Sequence, residues 1–365
     1  MREDTHFSSE NPSNPPETSS ALESPLFIDA GPAVGGKKSR AKDNGVDIER
    51  RRREPRSSQQ ECCSRGSSCG SHSRWRRRST ARSCPSPRKD VSNSVVVVTG
   101  AARGLGREIA RIFADLGAKV VLLDIDQARN NEMAKMIRAT GGKGFSFTCD
   151  VTDEDQVRNI AQKIGRLIGD VDILVNNAGI AQAMPILNMN PNQVRRTMEV
   201  NTLSHFWMIQ EFLPKMLERK RGHIVAVSSL AGLVGAANYT EYCASKFAVM
   251  GLMLSLEREL SQTEPGRAIR LTTICPAVLS RGLFHMGLPF LSKWFPKVFP
   301  PVDVQVAAKE VVDRVLRDEE LIVLPASFNL ILKLSLVLPH RVGKLVQDYL
   351  DYMVNPMADG SGISL

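Results

Sequence analysis

From Asp90 onward, short apolar runs alternate with segments whose apolar residues recur at helical spacing. Ser94–Thr99 (S-V-V-V-V-T) is β-branched without interruption, as a strand buried on both faces of a parallel sheet requires. Leu105, Ile109, Ile112, Phe113 and Leu116 then form one helical stripe, and Gly117 supplies a stop. Lys119–Asp124 reads as the next strand. The alternation repeats through Gly144–Thr148, Val171–Asn176, Gly222–Ser228, Ala268–Cys275 and Leu321–Leu324. Six or seven strands with intervening helices predict an α/β fold, a doubly wound parallel sheet of the Rossmann type in a single domain.

Residues 1–89 lack this pattern. Ser, Pro, Gly, Glu and Arg dominate there, and no period lasts two turns, so a disordered N-terminal extension is expected. The expected organisation is a basic tail over 1–89, a dinucleotide-binding catalytic domain over 90–318, and a C-terminal strand with an apolar segment over 319–365. The net charge of +9 follows the same division. The first 89 residues hold 18 Lys+Arg against 11 Asp+Glu, and the remaining 276 hold 30 against 28. The folded body therefore offers no basic stripe, and nucleic acid is not its expected partner. The runs Arg50–Arg53 and Arg76–Arg78 read as a solvated tail, with a nuclear-import or polyanion-binding patch as the alternative.

Cys62, Cys63, Cys69, Cys84 and His72 lack paired Cys-x-x-Cys spacing, so no metal is expected. Met1–Glu10 carries acids and no apolar run, which argues against a secretory signal. With an odd count of seven cysteines, this points to a reducing, cytosol-facing compartment. No stretch of 18 apolar residues is free of charge, so a spanning helix is not expected.

Candidate chemistry sits first between the opening strand and helix, in Thr99-Gly100-Ala101-Ala102-Arg103-Gly104-Leu105-Gly106. Glycines there allow a tight turn and close approach of a pyrophosphate to the helix N-terminus. Asp124 ends the second strand, where a carboxylate suits an adenosine ribose and repels a 2′-phosphate. That favours NAD. Arg103 argues for NADP as the alternative. A third constellation is Ser229, Tyr242 and Lys246. Of four tyrosines, only Tyr242 has Lys four residues on, on one helix face, after a strand ending in Ser228-Ser229. A free phenol has a pKa of about 10; an ammonium at ~4 Å and an effective dielectric of ~20 is worth roughly 4 kcal/mol, about three pKa units. Such a pairing would ready Tyr242 as a base.

These residues together resemble the short-chain dehydrogenase/reductase family: T-G-x-x-x-G-x-G at 99–106, Asp150-Val151, Asn176–Gly179, Ser229, and Y-C-A-S-K at Tyr242–Lys246. Leu122–Ile125, Val200–Thr202 and a basic, aromatic C-terminal third resemble its retinol and hydroxysteroid dehydrogenase branch. The resemblance implies that Tyr242 takes the alcohol proton, Ser229 holds the substrate oxygen, and Lys246 also binds the nicotinamide ribose. It makes Asn201 a fourth catalytic position supporting a proton-relay water, the alternative being a purely structural polar residue. It implies a cofactor cleft lined by Gly100, Arg103, Gly104, Leu105, Gly106, Asp124, Asp150, Val151, Asn177, Ala178, Gly179, Tyr242, Lys246 and Pro276. One departure stands out: Arg281 occupies the place of a Thr that anchors the carboxamide in many relatives.

The implied function is hydride transfer between a lipophilic alcohol, retinol-like or hydroxysteroid, and NAD. The rivals are a catalytically weak NAD-binding scaffold at lipid surfaces and an NADP-dependent carbonyl reductase. Residues 282–300 are rich in Leu, Phe and Trp with Lys293 and Lys297 and no acid, which suits an apolar substrate lid or a membrane interface, core packing under a long loop being the alternative. The branch implies the endoplasmic reticulum membrane or a lipid droplet. The expected N-terminal anchor is not seen, which leaves attachment to the C-terminal segment, or a soluble cytoplasmic form. Phe247–Leu256 is apolar around most of its helix, more than one sheet-facing stripe needs, so a homodimer is expected, with burial inside a single chain as the alternative.

Overall fold

The fold is built on β1 (Val95–Thr99), whose five residues are all buried because helices cover both of its faces. In the computed structural model, residues 86–277, 279, 302–329 and 344 are described, all within the unit Thr80–Leu365. The Arg-rich tail up to residue 85, Arg281, the 282–300 segment and most of the expected C-terminal apolar segment lie outside them.

From β1 the chain runs through α1 (Gly104–Asp115), β2 (Lys119–Asp124), α2 (Gln127–Ala139), β3 (Lys143–Thr148), α3 (Glu154–Leu167) and β4 (Ile173–Asn176). Next come α4 (Pro191–Met198), a π-turn (Glu199–Leu203), α5 (Ser204–Glu218), β5 (Gly222–Val227), α6 (Thr240–Ser261) and the short α7 (Glu264–Arg267). β6 (Ile269–Pro276), α8 (Val304–Leu316) and β7 (Leu321–Leu324) complete the described elements. The seven strands are parallel in the order β3-β2-β1-β4-β5-β6-β7. The order reverses between β1 and β4, which opens a crevice at their carboxyl ends. The expected strands all form.

Alternation along the strands divides the core into two layers. Val96 and Val98 pack with Ile109 and Phe113 of α1 and with Val311 and Val315 of α8. Val95 and Val97 pack with Ile164 of α3, Met208 and Met216 of α5, and Val249 and Met253 of α6. The predicted α1 stripe is buried at Leu105, Ile109 and Phe113, while Leu116 becomes the exposed C-cap.

Helix starts follow local chemistry. The Asp126, Asp153 and Asp303 carboxylates accept backbone N–H groups at the starts of α2, α3 and α8. Asn190 and Gln193 form a capping box before α4, with Pro191 in its first turn. α1 begins without a side-chain cap and without an acid in its first turn. Where the chain enters the body, Arg88 pairs with Asp313 and Lys89 with Asp318, and the Lys89 N–H donates to the Leu316 carbonyl at 2.9 Å. Among the described residues no helix is long and apolar enough to cross a membrane.

Candidate active site

The glycine turn is held open by backbone geometry and closed from below by Asn177. Gly100 and Gly104 have φ of +64° and +59°, which glycine adopts without strain. A Cβ on Gly106 would stand 2.4 Å from both Asn177 Nδ2 and the Gly100 carbonyl oxygen, so only glycine lets α1 start this close to the turn. Asn177 Nδ2 donates to the carbonyls of Thr99 (2.8 Å) and Gly100 (3.2 Å). Thr99 Oγ1 accepts from the Asn177 and Ala178 N–H groups at 2.9 and 3.0 Å. The N–H groups of the uncapped first turn of α1 thus face a cradle suited to an anionic pyrophosphate. Leu105 is buried beneath it, and Arg103 is exposed at its rim.

Asp124 stands at the end of β2, as expected, and also braces the turn. Its carboxylate oxygens accept from the Ala102 N–H and the Asp126 N–H, each at 2.9 Å. Asp150 is engaged more fully. It accepts from the Thr152 N–H and hydroxyl and from Arg196 of α4, at 3.0, 2.7 and 3.0 Å. Burial works against its charge, but these hydrogen bonds outweigh it and hold the carboxyl below its ordinary value. Val151 is buried beside it.

At the carboxyl ends of β4, β5 and β6 the second group assembles. Ser229, Tyr242 and Lys246 are 8%, 6% and 3% exposed. Tyr242 and Ser229 share a side-chain hydrogen bond. Ser229 Oγ also accepts from the Ala231 N–H at 3.1 Å and lies 3.5 Å from the Pro276 carbonyl oxygen. A Cβ on Gly179 would lie 3.4 Å from Asn201 Oδ1 and 3.6 Å from Lys246 Nζ, so the Asn176–Gly179 segment runs directly past both. The π-turn carries Asn201, fully buried, against that segment. Its Oδ1 accepts from the Ile180 N–H at 2.8 Å, and its Nδ2 donates to the Ile180 carbonyl at 2.8 Å and to Ser245 Oγ at 3.0 Å. The Asn201 side chain is thus committed to shaping the loop after β4.

The expected Tyr242–Lys246 electrostatics is corrected by this geometry. Lys246 Nζ lies 5.7 Å from the centre of the Tyr242 ring and donates to the Val227 carbonyl at 2.9 Å. Burial pushes the Tyr242 phenol well above its ordinary value, and the Ser229 hydrogen bond opposes this only in part. Burial also brings Lys246 down to about 8. Desolvation penalises the charged form of both groups and is the first cause of both shifts.

Four contributors escaped the sequence pattern. Thr99 and Ser245 lie inside quoted motifs, but their hydroxyls act as hubs; Ser245 Oγ donates to the Tyr242 carbonyl at 2.7 Å. Asn176 opens the quoted Asn176–Gly179 motif but is given no role there, and His205 is a buried polar residue that no spacing rule singles out.

Comparison with known proteins bears on this constellation. A family model described as short chain dehydrogenase matches residues 94–285. Epidermal retinol dehydrogenase 2 of Mus musculus is 35% identical over 266 residues, covering 72% of this chain and 84% of that protein. Estradiol 17-beta-dehydrogenase 11 of Homo sapiens is 33% identical over 257 residues, covering 70% and 83%. A solved metagenomic short-chain oxidoreductase in complex with NADP is 29% identical with a TM-score of 0.54, covering 65% of this chain and 97% of that one.

Proposed function

Because the chain belongs to the short-chain dehydrogenase family, we propose that it transfers a hydride between a lipophilic alcohol, retinol-like or hydroxysteroid, and NAD. The observation that carries this is the burial of Ser229, Tyr242 and Lys246 together, next to a glycine turn on an uncapped helix N-terminus. Relatives named for retinol and estradiol chemistry support the lipophilic substrate.

Gly100, Arg103, Gly104, Leu105 and Gly106 would hold the pyrophosphate, Asp124 the adenosine ribose, and Asp150 with Val151 the adenine side. Asn177, Ala178, Gly179, Tyr242, Lys246 and Pro276 would line the nicotinamide half. When bound, the nicotinamide supplies the hydride acceptor in oxidation and the donor in reduction. The protein handles the proton. In oxidation the substrate O–H proton goes to Tyr242 Oη while Ser229 Oγ holds the oxygen; in reduction Tyr242 returns it to the carbonyl oxygen. A phenol raised by burial is neutral near pH 7, the form reduction needs. Oxidation draws on the phenolate, so its rate is expected to rise up to about tenfold per pH unit and to flatten near pH 8, where Lys246 loses the charge that favours phenolate.

The test is dinucleotide reduction by the purified full chain across retinoids, hydroxysteroids and fatty alcohols, with NAD and NADP in parallel. A Tyr242→Phe variant with undiminished turnover would favour the scaffold. NADP-dependent carbonyl reduction is the second reading. Arg103 stands exposed at the turn, both Asp124 oxygens already accept backbone bonds, and the similar solved protein is in complex with NADP.

A homodimer is the expected assembly, since Leu203, Phe206, Phe247 and Leu254 leave apolar surface exposed in and around α5 and α6. Sedimentation of wild type against Phe247→Glu tests it. Attachment to a cytosol-facing lipid surface rests on the aromatic and lysine pattern of residues 282–300 and on the apolar run after β7. Flotation of the full chain with lipid vesicles checks it, and a wholly soluble result counts against it.

A further inference from the structure

Among the described residues one carboxyl group is buried, that of Glu241, which is 4% exposed. It stands in the first turn of α6, immediately before Tyr242. Its Oε1 accepts from the Gln182 N–H at 2.9 Å, and its Oε2, also buried, has no partner among the described residues. No Lys or Arg among them pairs with it. Its charge helps to raise the Tyr239 phenol, second to burial. A buried carboxylate with one hydrogen bond and no counter-ion is poorly compensated, and the start of α6, which no side chain caps, offsets only part of the cost. A leucine of similar size would avoid that cost, so the carboxyl calls for a reason other than stability.

The bond to Gln182 reaches the segment that leaves β4. Gly179 passes beside Asn201 and Lys246, and Asn201 holds both backbone groups of Ile180. Ala181 packs with Tyr239 and Tyr242, in the cluster that also takes in Ala231 and Ala236. Gln182 gives its N–H to Glu241, and its side-chain oxygen accepts from Gln193 of α4 at 3.3 Å. Ala183 has φ of +54°, a left-handed conformation that a residue with a Cβ keeps only where its surroundings hold it. The segment is thus pinned at alternate residues, by the π-turn at Ile180 and by α6 at Gln182.

This pinning bears on the substrate. In the function proposed above, the alcohol oxygen lies between Ser229 and Tyr242, and the nicotinamide lies along Gly179 and Lys246. The 181–183 segment leads away from the nicotinamide end past the Tyr242 cluster, so it borders the space in which the rest of the alcohol must lie. Glu241 and Tyr242 are consecutive on one helix. A segment fastened to the first therefore keeps a fixed place relative to the second.

We propose that Glu241 is a positioning residue for the substrate: it fastens the 181–183 segment to α6, and that segment forms a wall for the apolar body of the alcohol beside Tyr242. The inference rests on the hydride-transfer function proposed above. The carboxyl is kept for the bond it accepts, at a cost to stability, which is the usual exchange at a working site.

The test compares the full chain with Glu241→Leu and Glu241→Gln, reading kcat and KM for retinol and estradiol, the dissociation constant of NADH, and the melting temperature. Glu241→Leu removes the acceptor. It is expected to raise KM about tenfold, to leave kcat and NADH affinity within about twofold, and to melt no lower than wild type. Glu241→Gln keeps an acceptor oxygen and is expected to hold KM within about twofold of wild type. A folded Glu241→Leu protein with unchanged KM overturns the proposal, as does one whose loss falls on NADH affinity, or a Glu241→Gln protein as impaired as Glu241→Leu. A crystal of the wild-type protein with dinucleotide and alcohol gives a second reading that needs no variant. Contact between the 181–183 segment and the alcohol, with the Glu241–Gln182 bond in place, supports the proposal; a segment clear of the alcohol overturns it. If Glu241→Leu does not fold, that crystal decides. Full turnover by Tyr242→Phe would overturn the hydride-transfer reading instead, and the crystal alone would then judge the wall.

Discussion

Two histidines are buried to nearly the same depth, at opposite ends of the sheet, and the structure treats them oppositely. His223, near the start of β5, is 2% exposed and bonded at both ring nitrogens: Nδ1 accepts from Lys89 Nζ at 2.6 Å, and Nε2 pairs with Thr272 Oγ1 at 2.8 Å. Thr272 passes the chain on to the Glu319 carbonyl at 2.7 Å. An ammonium only donates, so His223 carries its proton on Nε2. His205, toward the carboxyl ends of the strands, has no partner at either nitrogen among the described residues. At the amino ends His223 helps bind chain to chain, tying the segment before β1 to β5, β6 and the loop after α8. At the carboxyl ends several donors and acceptors are left over, near the residues that would meet cofactor and substrate. Unsatisfied buried polarity therefore distinguishes the working end of this sheet from the structural one.

That contrast is broken most strongly by Tyr242→Phe. Turnover is expected to fall about 10³-fold or more, with melting nearly unchanged, as loss of a general acid–base group predicts; steady-state rates with a calorimetric scan check it. Gly106→Ala comes next. Its Cβ must displace Asn177 or the Gly100 carbonyl, so a stability loss of about 1–3 kcal/mol and weaker dinucleotide binding are expected, measured by denaturant unfolding and titration. His223→Phe should cost about 1–3 kcal/mol of stability while leaving the kcat of folded molecules unchanged. If it lowered kcat instead, the division of labour between the two ends would fail.

The remaining expected effect is in acid. Both histidines are held neutral when folded, His205 down to about 3, so the unfolded chain takes up protons below its ordinary imidazole value that the folded chain refuses. Their contribution is intact above about pH 6.5 and is lost as pH falls, at up to about 1.4 kcal/mol per unit for each group. Urea midpoints of wild type and His205→Phe between pH 7 and 4 should converge as acid is added.

Much of this is legible in the sequence alone. β1 announces itself by Val95–Val98, and the α1 stripe by residues three and four apart, because burial on these elements follows a local period. Tyr242 and Lys246 were legible as an i, i+4 pair for the same reason. Their electrostatics was not, because whether an ammonium acidifies a phenol depends on burial and on the Val227 carbonyl, which reaches Lys246 from strand β5. Asn201 was legible as a candidate, but its commitment to Ile180 and Ser245 depends on a π-turn that nothing in Glu199–Leu203 advertises. The pairing of Asp150 with Arg196 joins residues 46 apart and has no local signature.

The sequence by itself determined the order of strands and helices, the glycine turn and the identity of the buried phenol, serine and lysine, because each is written in spacings shorter than one element. Only the tertiary structure decided which polar atoms are paired and which are stranded. Pairing depends on what the neighbouring strand or helix presents at the same depth, and elements far apart in the chain share no spacing that could record it.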